Sequence, residues 1–233
     1  MILITGASRG IGKFLFEKFE ISEGMYADHE KIIGTYFNDN EELSKNKKFF
    51  KVDITRYSDL ESLSERLKPE IKNLILINCA GNNYNSFTHK SSPEEWSKVI
   101  NTNLTGTYNS IRAFLPVMRE QGYGRIINFS SIVAETGIPG TSAYAASKSG
   151  LWGMTRSIAV ENASKGITIN NLNLGYFDIG MINEVSEEYQ QIVKRKIPTG
   201  KFGDPENIFN AVKFLIQSDY INGTSVDING GIY

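Results

Sequence analysis

The stretch that decides the fold of this chain is Thr5-Gly6-Ala7-Ser8-Arg9-Gly10-Ile11-Gly12, which follows the apolar run Ile2-Leu3-Ile4. Ile11, Leu15 and Phe19 then recur at the spacing of one helix face. Glycine permits a tight turn and lets backbone N–H groups approach a pyrophosphate, while a helix N-terminus adds partial positive charge. The pattern predicts a strand, a phosphate-binding turn and a helix in succession. A plain strand–helix turn is the alternative.

The same alternation continues along the chain. Further strands are expected at residues 31–37, 48–53, 74–78, 125–129, 167–174 and 226–228. Helices are expected from Ser92-Pro93-Glu94-Glu95 to about Val117, from about Ser142, and from Asp204-Pro205-Glu206, where serine or aspartate caps and proline takes the first helical position. Alternating elements predict an α/β fold, a doubly wound parallel sheet of about seven strands with helices on both faces.

The organisation between these elements is simple. No linker, repeat or low-complexity tract divides the chain, so residues 1–233 are expected to form a single domain. Residues 22–30 are polar and are expected to form a surface loop. Residues 177–203 follow the sixth strand without a clear period, and such a segment is expected to cover the substrate.

Composition narrows the classes of function. The formal net charge is −1, which favours neither nucleic acid nor an anionic membrane as a partner. No apolar run is long enough to cross a bilayer. Cys79 is the only cysteine, so no internal disulfide can form and a cytoplasmic setting is expected. Cys79 itself is expected to act as a small buried hydrophobe.

A second group of residues indicates proton transfer. Tyr144 and Lys148 are four residues apart, and Ser131 precedes the tyrosine by thirteen. Tyrosine has a reference pKa near ~10, and a lysine one helical turn away is expected to lower it towards the working range. Ser131 would donate a hydrogen bond to a carbonyl oxygen, whereas Ser130 faces the other side of the strand. The alternative is an amphipathic helix with an incidental tyrosine and an exposed lysine.

Together these motifs resemble the short-chain dehydrogenase/reductase family over nearly the whole chain. Residues 5–12 match its glycine fingerprint, Asn78-Cys79-Ala80-Gly81 is similar to its Asn-Asn-Ala-Gly motif, and Asn103 matches its active-site asparagine. The resemblance implies a Rossmann-like fold and NAD(P)-dependent hydride transfer without a metal. It implies a catalytic set of Asn103, Ser131, Tyr144 and Lys148. The cofactor-binding residues that it implies are Thr5, Gly6, Ser8, Arg9, Gly10, Ile11, Gly12, Thr35, Asp53, Ile54, Asn78, Ala80, Gly81, Tyr144, Lys148, Gly175 and Ile179. For two of these a structural role competes: Asp53 as a strand-end cap and Asn78 as a tie between strands.

The residues expected to bind the adenosine end of the cofactor favour NADPH, and NAD stays possible. The second predicted strand ends Gly34-Thr35-Tyr36-Phe37-Asn38, without an acidic residue at its tip to bind ribose hydroxyls. A 2′-phosphate requires cations, and Arg9 lies within the glycine turn. Asp39 keeps NAD open.

The chain departs from the family after the sixth strand. Leu174 replaces the usual proline before Gly175, and Ile179 stands where the family has a threonine that binds the nicotinamide carboxamide. Isoleucine cannot make that hydrogen bond. The roughly 0.5–1.5 kcal/mol by which it would hold the nicotinamide in orientation is therefore expected to be missing or to come from a backbone group.

Within the family, residues 144–151 look most like 3-oxoacyl-acyl-carrier-protein reductases. The expected reaction is reduction of a ketone to a secondary alcohol, or the reverse. Reduction of a sugar or another small carbonyl compound stays open, as does a cofactor-binding regulator without turnover. A carrier protein is acidic, so a basic rim is expected, with Arg112, Arg119, Arg125 and Lys165 as candidates. The family also implies a homotetramer or homodimer through the helices at 93–118 and 142–164.

Overall fold

Seven parallel strands form one sheet in the computed structural model, which describes residues 1–21 and 31–232. Their order is β3-β2-β1-β4-β5-β6-β7. The strands are β1 Ile2–Thr5, β2 Ile32–Tyr36, β3 Phe49–Lys51, β4 Ile75–Asn78, β5 Gly124–Ser131, β6 Ile167–Leu174 and β7 Ser225–Ile228. The strand order reverses between β1 and β4, where ligands bind at the carboxyl edge of such sheets. The predicted α/β class and strand count are confirmed.

Helices connect the strands. They are α1 Gly10–Ile21, α2 Glu41–Lys45, α3 Tyr57–Leu67, α4 Pro93–Ile100, α5 Gly106–Gln121, α6 Val133–Thr136, α7 Ser142–Asn162, α8 Glu187–Lys196 and α9 Pro205–Gln217. Predicted helix starts are confirmed by Ser92 and Asp204, whose side chains accept hydrogen bonds from the N–H groups of Glu95 and Glu206. No helix in the described ranges has the length and apolar character needed to span a bilayer.

Two predictions about the helices and loops need adjustment, and a third is not tested. The helix expected from residue 93 to about Val117 is interrupted by a π-helical turn, Asn101–Thr105, and its second part, α5, ends at Gln121. The segment 177–203 contains a 3₁₀ turn, Gly180–Glu184, and helix α8, and its ends meet in a bridge between Phe177 and Gly203. The loop expected at residues 22–30 lies outside the described residues.

The sheet is covered on both faces. Leu74 and Leu76 pack into a cluster with residues of α3 and α5, whereas Ile75 and Ile77 pack into a second cluster with residues of α1 and α9. Because alternate side chains of a strand point to opposite faces, a strand buried on both faces needs a continuous apolar run. This packing explains the predicted apolar run at 74–78.

One row of the sheet interior is polar. Asn78, Asn128, Asn171 and Ser225 occupy matching positions on β4, β5, β6 and β7. Each amide nitrogen donates to the next side chain: Asn78 to Asn128 at 2.8 Å, Asn128 to Asn171 at 3.3 Å, and Asn171 to Ser225 at 3.0 Å. Thr155 of α7 also bonds to Asn128 and Asn171, at 3.1 and 2.8 Å. This asparagine row therefore ties four strands and helix α7 together.

Candidate active site

The glycine turn between β1 and α1 is closed to side chains. Gly6 has a φ of +68°, and a Cβ atom there would lie 2.6 Å from the Cα of Ala80. A Cβ at Gly12 would lie 2.3 Å from the carbonyl oxygen of Gly6. Backbone therefore packs on backbone at the start of α1, where partial positive charge favours an anion. This cradle fits the pyrophosphate of a dinucleotide.

Threonine side chains brace the turn from two strands. Thr35 of β2 accepts a hydrogen bond from the N–H of Gly6 at 3.3 Å, and Thr5 of β1 accepts one from the N–H of Ala80 at 3.3 Å. Both threonines are buried. Ser8 and Ile11 are half-buried on the turn, and the side chain of Arg9 is exposed. The structure thus brings these predicted cofactor residues together at the switch point.

Asp53 and Ile54, two of the predicted cofactor-binding residues, which in the family contact the adenine ring, also have structural roles. The Asp53 carboxylate accepts hydrogen bonds from the backbone N–H and hydroxyl of Thr55, at 2.9 and 2.7 Å. Ile54 is buried against Gly106, where an added Cβ would lie 2.7 Å from its Cδ1 atom. Asp53 therefore caps the turn after β3, as the alternative interpretation expected. The adenine contact stays a prediction.

In the motif after β4, residues 78–81, some residues have structural roles and others face the site. Asn78 belongs to the asparagine row, which is the structural role predicted as its alternative. Gly81 faces the centre of the site, since a Cβ there would lie 3.2 Å from Oδ1 of Asn103 and 3.9 Å from Nζ of Lys148. Cys79 is half-buried against the core, and burial raises the pKa of its thiol, so it stays neutral.

Asn103 lies in the π-helical turn and is fully buried. Its amide nitrogen donates to the carbonyl oxygen of Asn82 at 2.9 Å and to the hydroxyl of Ser147 at 3.1 Å. Its Oδ1 accepts the N–H of Asn82 at 2.9 Å. A π turn widens the helix by one residue and is common at functional sites. Asn103 therefore joins the loop after β4 to α7, next to Lys148.

Ser131, Tyr144 and Lys148 meet at the carboxyl edge of the sheet. Ser131 ends β5 and forms a side-chain hydrogen bond with Tyr144. The ammonium of Lys148 donates to the carbonyl oxygen of Phe129 at 2.7 Å and lies 5.5 Å from the centroid of the Tyr144 ring. Lys148 is only 7% exposed. One face of α7 thus presents a tyrosine hydroxyl and a buried cation together.

Burial dominates the acid–base properties of this pair. It lowers the pKa of Lys148 to about 8 and raises the pKa of Tyr144 to about 12, although the hydrogen bond from Ser131 acts in the opposite direction on the tyrosine. The expectation that Lys148 lowers the pKa of Tyr144 is wrong for this structure. Desolvation of the phenolate raises the pKa of Tyr144 more than the Lys148 cation can lower it, because that cation is itself buried and bonded to the Phe129 carbonyl.

Ser130 serves the site from the other side of β5. Its hydroxyl donates to the carbonyl oxygen of Lys148 at 3.2 Å and accepts the indole N–H of Trp152 at 3.0 Å. The alternation that separated Ser130 from Ser131 is therefore confirmed. Trp152 was not among the predicted site residues, because the sequence carries no signal for it beyond its position one helical turn after Lys148.

A cavity of about 640 Å³ lies at the carboxyl ends of β6 and β7. Tyr176, Phe202 and Ile228 are among its apolar walls, and Lys201 and Asn229 are among its polar ones. Tyr176 lies close enough to Tyr144 to contribute to its raised pKa. The cavity therefore lies at the same edge of the sheet as Tyr144, with Tyr176 between them.

Comparison with known proteins identifies the family. The model of the short chain dehydrogenase family matches residues 1–190. The chain belongs to the short-chain dehydrogenase family. It is similar to the 3-oxoacyl-[acyl-carrier-protein] reductase FabG of Escherichia coli (strain K12), with 34% identity over 99% of this chain and 96% of that protein. It is also similar to the acetoacetyl-CoA reductase of Rhizobium meliloti (strain 1021), with 35% identity over 99% and 97%. The chain is therefore an oxidoreductase.

For a short-chain dehydrogenase, the segment after β6 is unusual in this chain. Gly175 packs tightly, since a Cβ there would lie 2.6 Å from the Cα of Asn229. The side chain of Ile179 packs against the core, and its N–H donates to the carbonyl oxygen of Phe177 at 2.7 Å. That N–H is already bonded and does not replace the hydroxyl of the family's threonine.

The adenosine end of this short-chain dehydrogenase carries two exposed ion pairs. Arg9 lies 3.8 Å from the carboxylate of Glu184, in the 3₁₀ turn after β6. Asp39 pairs with Lys51 at 2.5 Å, so its charge is compensated. The Asp39 carboxylate, which kept NAD open in the sequence, is thus already engaged by a cation.

The basic rim expected of this short-chain dehydrogenase does not surround the site of a single chain. Arg125 is buried and donates to the carbonyl oxygens of Ile216, Gly124 and Gly166. Arg119 bonds to Asn162 at 2.5 Å. Arg125 and Lys165 lie at the amino ends of β5 and β6, opposite the edge that holds Ser131. Arg119, Arg125 and Lys165 therefore do not line the site of one chain, whereas Arg112 is exposed and its part in a rim stays a prediction.

Proposed function

We propose that this protein reduces the keto group of a 3-oxoacyl thioester to a secondary alcohol, with NADPH as the hydride donor. The observation that carries the proposal is the meeting of Ser131, Tyr144 and Lys148 beside the glycine cradle. The names of the similar reductases support the substrate class, because both act on 3-oxoacyl or acetoacetyl groups.

The residues divide the chemistry as follows. Reduced nicotinamide, when bound, supplies the hydride. Ser131 donates a hydrogen bond to the keto oxygen and stabilises its developing negative charge. Tyr144 gives its proton to that oxygen, and a tyrosine with a raised pKa is fully protonated and ready to do so at neutral pH. Lys148 offsets the charge left on the tyrosine oxygen.

The proposal also assigns roles to Asn103, Lys148 and Arg9 and to the chain as a whole. Asn103 connects the Lys148 region to the loop after β4, where it would hold a water that returns protons from solvent. Lys148 would bind the nicotinamide ribose, and Arg9 the 2′-phosphate. Residues 1–233 would act as a single domain, with 177–203 covering the substrate. Assembly as a homotetramer or homodimer in the cytoplasm completes the proposal, and Tyr108 of α5 and Val160 of α7 are exposed apolar residues on the helices concerned.

The direct test is loss of NADPH absorbance with acetoacetyl-N-acetylcysteamine, a small neutral 3-oxoacyl thioester. We expect turnover that saturates with thioester and forms the 3-hydroxy product. Small sugars and simple ketones serve as comparison substrates. Faster turnover of a sugar than of the thioester would replace the proposed substrate class, and cofactor binding without turnover of any carbonyl would favour a regulator.

Cofactor choice gives a separate prediction at Arg9. A charge-assisted hydrogen bond contributes about 1.5–3 kcal/mol, so Arg9→Gln should raise the KM for NADPH roughly 10- to 100-fold and leave the KM for NADH nearly unchanged. Initial rates at varied cofactor concentration measure both values. Lys13→Gln is the matched control, because Lys13 is an exposed cation on α1 that pairs with Glu17. An equal change for both cofactors would remove Arg9 from 2′-phosphate recognition.

A further inference from the structure

Trp152 of α7 takes part in a closed set of hydrogen bonds around the main chain of Lys148. Its indole N–H donates to the hydroxyl of Ser130 at 3.0 Å, and that hydroxyl donates to the carbonyl oxygen of Lys148 at 3.2 Å. Within α7, the backbone N–H of Trp152 donates to the same carbonyl, because helical hydrogen bonds join residues four apart. We call these three bonds the hydrogen-bond ring. One residue thus binds the Lys148 carbonyl directly and through a second side chain.

The direction of each bond in the hydrogen-bond ring follows from the chemistry of its groups. An indole has one N–H and no acceptor, so the Ser130 oxygen accepts from Trp152. A hydroxyl has a single proton and a carbonyl can only accept, so the proton of Ser130 points at Lys148. Ser130 is 3% exposed, which leaves little access for competing water. The indole therefore fixes the Ser130 hydroxyl in the orientation that binds α7.

Two adjacent residues of β5 hold the two ends of Lys148. The Ser130 hydroxyl binds its main-chain carbonyl, and the carbonyl oxygen of Phe129 accepts from its ammonium at 2.7 Å. The next residue of the same strand, Ser131, forms a side-chain hydrogen bond with Tyr144. A shift of the α7 main chain at residue 148 would therefore move the ammonium relative to both the strand and the tyrosine.

Helix α7 is attached to the fold at other points as well. Thr155, in the next helical turn, bonds to the asparagine row. The hydroxyl of Ser149 donates to the carbonyl oxygen of Ala134 in α6 at 3.1 Å. Loss of the hydrogen-bond ring is therefore expected to leave the helix docked on the sheet and to loosen the turn that carries Lys148.

We propose that Trp152 is a positioning residue for the reaction, which acts through the Ser130 hydroxyl on the main chain of Lys148. The hydrogen-bond ring thereby keeps the ammonium close to Tyr144. This inference rests on the proposed function, because the step that it assists is proton transfer from the tyrosine. The ammonium offsets the charge left on the tyrosine oxygen, and the attraction between two charges weakens with distance. The effect therefore falls on kcat and not on the KM for the thioester.

The test is a double-mutant cycle of Trp152→Phe and Ser130→Ala, with acetoacetyl-N-acetylcysteamine as the substrate and NADPH at saturation. We expect each single change to lower kcat about 5- to 50-fold and to leave the KM for the thioester within about twofold, since a misplacement of about 1 Å can cost roughly 10²-fold. Because both changes break one path, the combined variant should have a kcat no lower than Ser130→Ala alone.

A second readout needs no turnover. The rate at which acetic anhydride acetylates Lys148, followed by mass spectrometry in protein without substrate, reports how often the ammonium leaves its buried place. This rate should rise in both single variants relative to the wild type. Thermal melting checks that each variant folds.

The matched control is Ser64→Ala, because the Ser64 hydroxyl also donates to a carbonyl across elements, that of Ala113 at 2.9 Å, between α3 and α5. Trp96→Phe, on α4, controls for the loss of an indole. Both controls should match the wild type in kcat and in acetylation of Lys148.

Three results would each overturn the proposal: an unchanged kcat in Ser130→Ala, falls in kcat that add in the combined variant, or acetylation that rises no more than in the controls. Absence of turnover in the wild type would instead refute the proposed function, while the acetylation rates would still show whether the hydrogen-bond ring holds the ammonium in place.

Discussion

Tyr144→Phe is expected to lower kcat for reduction of the thioester by about 10²–10⁴-fold, the range that a positioned general acid contributes. The phenyl ring keeps the packing of α7, and Lys148 keeps its bond to the Phe129 carbonyl. Only the proton donor is lost. Cofactor affinity, measured by the fluorescence of bound NADPH, should stay within about threefold, since a single neutral hydrogen bond is worth little in net terms.

Tyr220→Phe is the control for this prediction, because Tyr220 is 99% exposed and far from the site in the chain's last loop before β7. Its kcat should equal that of the wild type. A Tyr144→Phe protein that retains more than a fifth of wild-type kcat would show that another group supplies the proton.

Lys148→Met is expected to abolish turnover and to stabilise the fold. Burial holds the pKa of Lys148 at about 8 instead of 10.5, and a difference of this size corresponds to about 3 kcal/mol at neutral pH. Loss of the hydrogen bond to the Phe129 carbonyl destabilises the variant by about 1 kcal/mol. We expect a net gain of about 2 kcal/mol, or a rise in Tm of roughly 4–8 °C.

The gain should depend on pH with a definite sign. The pKa is lower in the folded state, so the unfolded chain binds the proton more tightly and the wild type becomes more stable as pH rises from about 8 to 10.5. The advantage of Lys148→Met should therefore be full at pH 7 and shrink above pH 8. Lys98→Met, at an exposed residue of α4, should leave Tm unchanged in this range. A variant that melts below the wild type at pH 7 would contradict a destabilising buried cation.

The fold could be predicted from local pattern because its strands and turns have local causes. The run at 74–78 is apolar throughout since both faces of β4 are covered, and the glycines at 6 and 12 are required by backbone contacts under 3 Å. Spacing also placed Ser131, Tyr144 and Lys148 at one edge, because the ends of parallel strands meet there.

The remaining features depend on tertiary contacts that no local pattern carries. The π turn at Asn103 results from bonds to Asn82 and Ser147, far apart in the sequence. The raised pKa of Tyr144 follows from its depth in the molecule, which a four-residue spacing to Lys148 does not encode. Arg125 was predicted to be a surface cation, because the sequence does not show that it is buried at the start of β5.

The asparagine row constrains how this sequence can change over evolutionary time. Asn128 accepts from Asn78 and donates to Asn171, so replacing Asn128 alone would leave the buried amide nitrogen of Asn78 without its acceptor. Asn171 would keep its bonds to Thr155 and Ser225. A buried group left without its partner destabilises by about 1–3 kcal/mol, whereas replacing all partners with apolar residues of similar shape is nearly neutral. Sequences with only part of the row replaced are therefore less stable than those with the whole row kept or the whole row replaced. The row is inherited as a block, and its members are expected to change together or not at all.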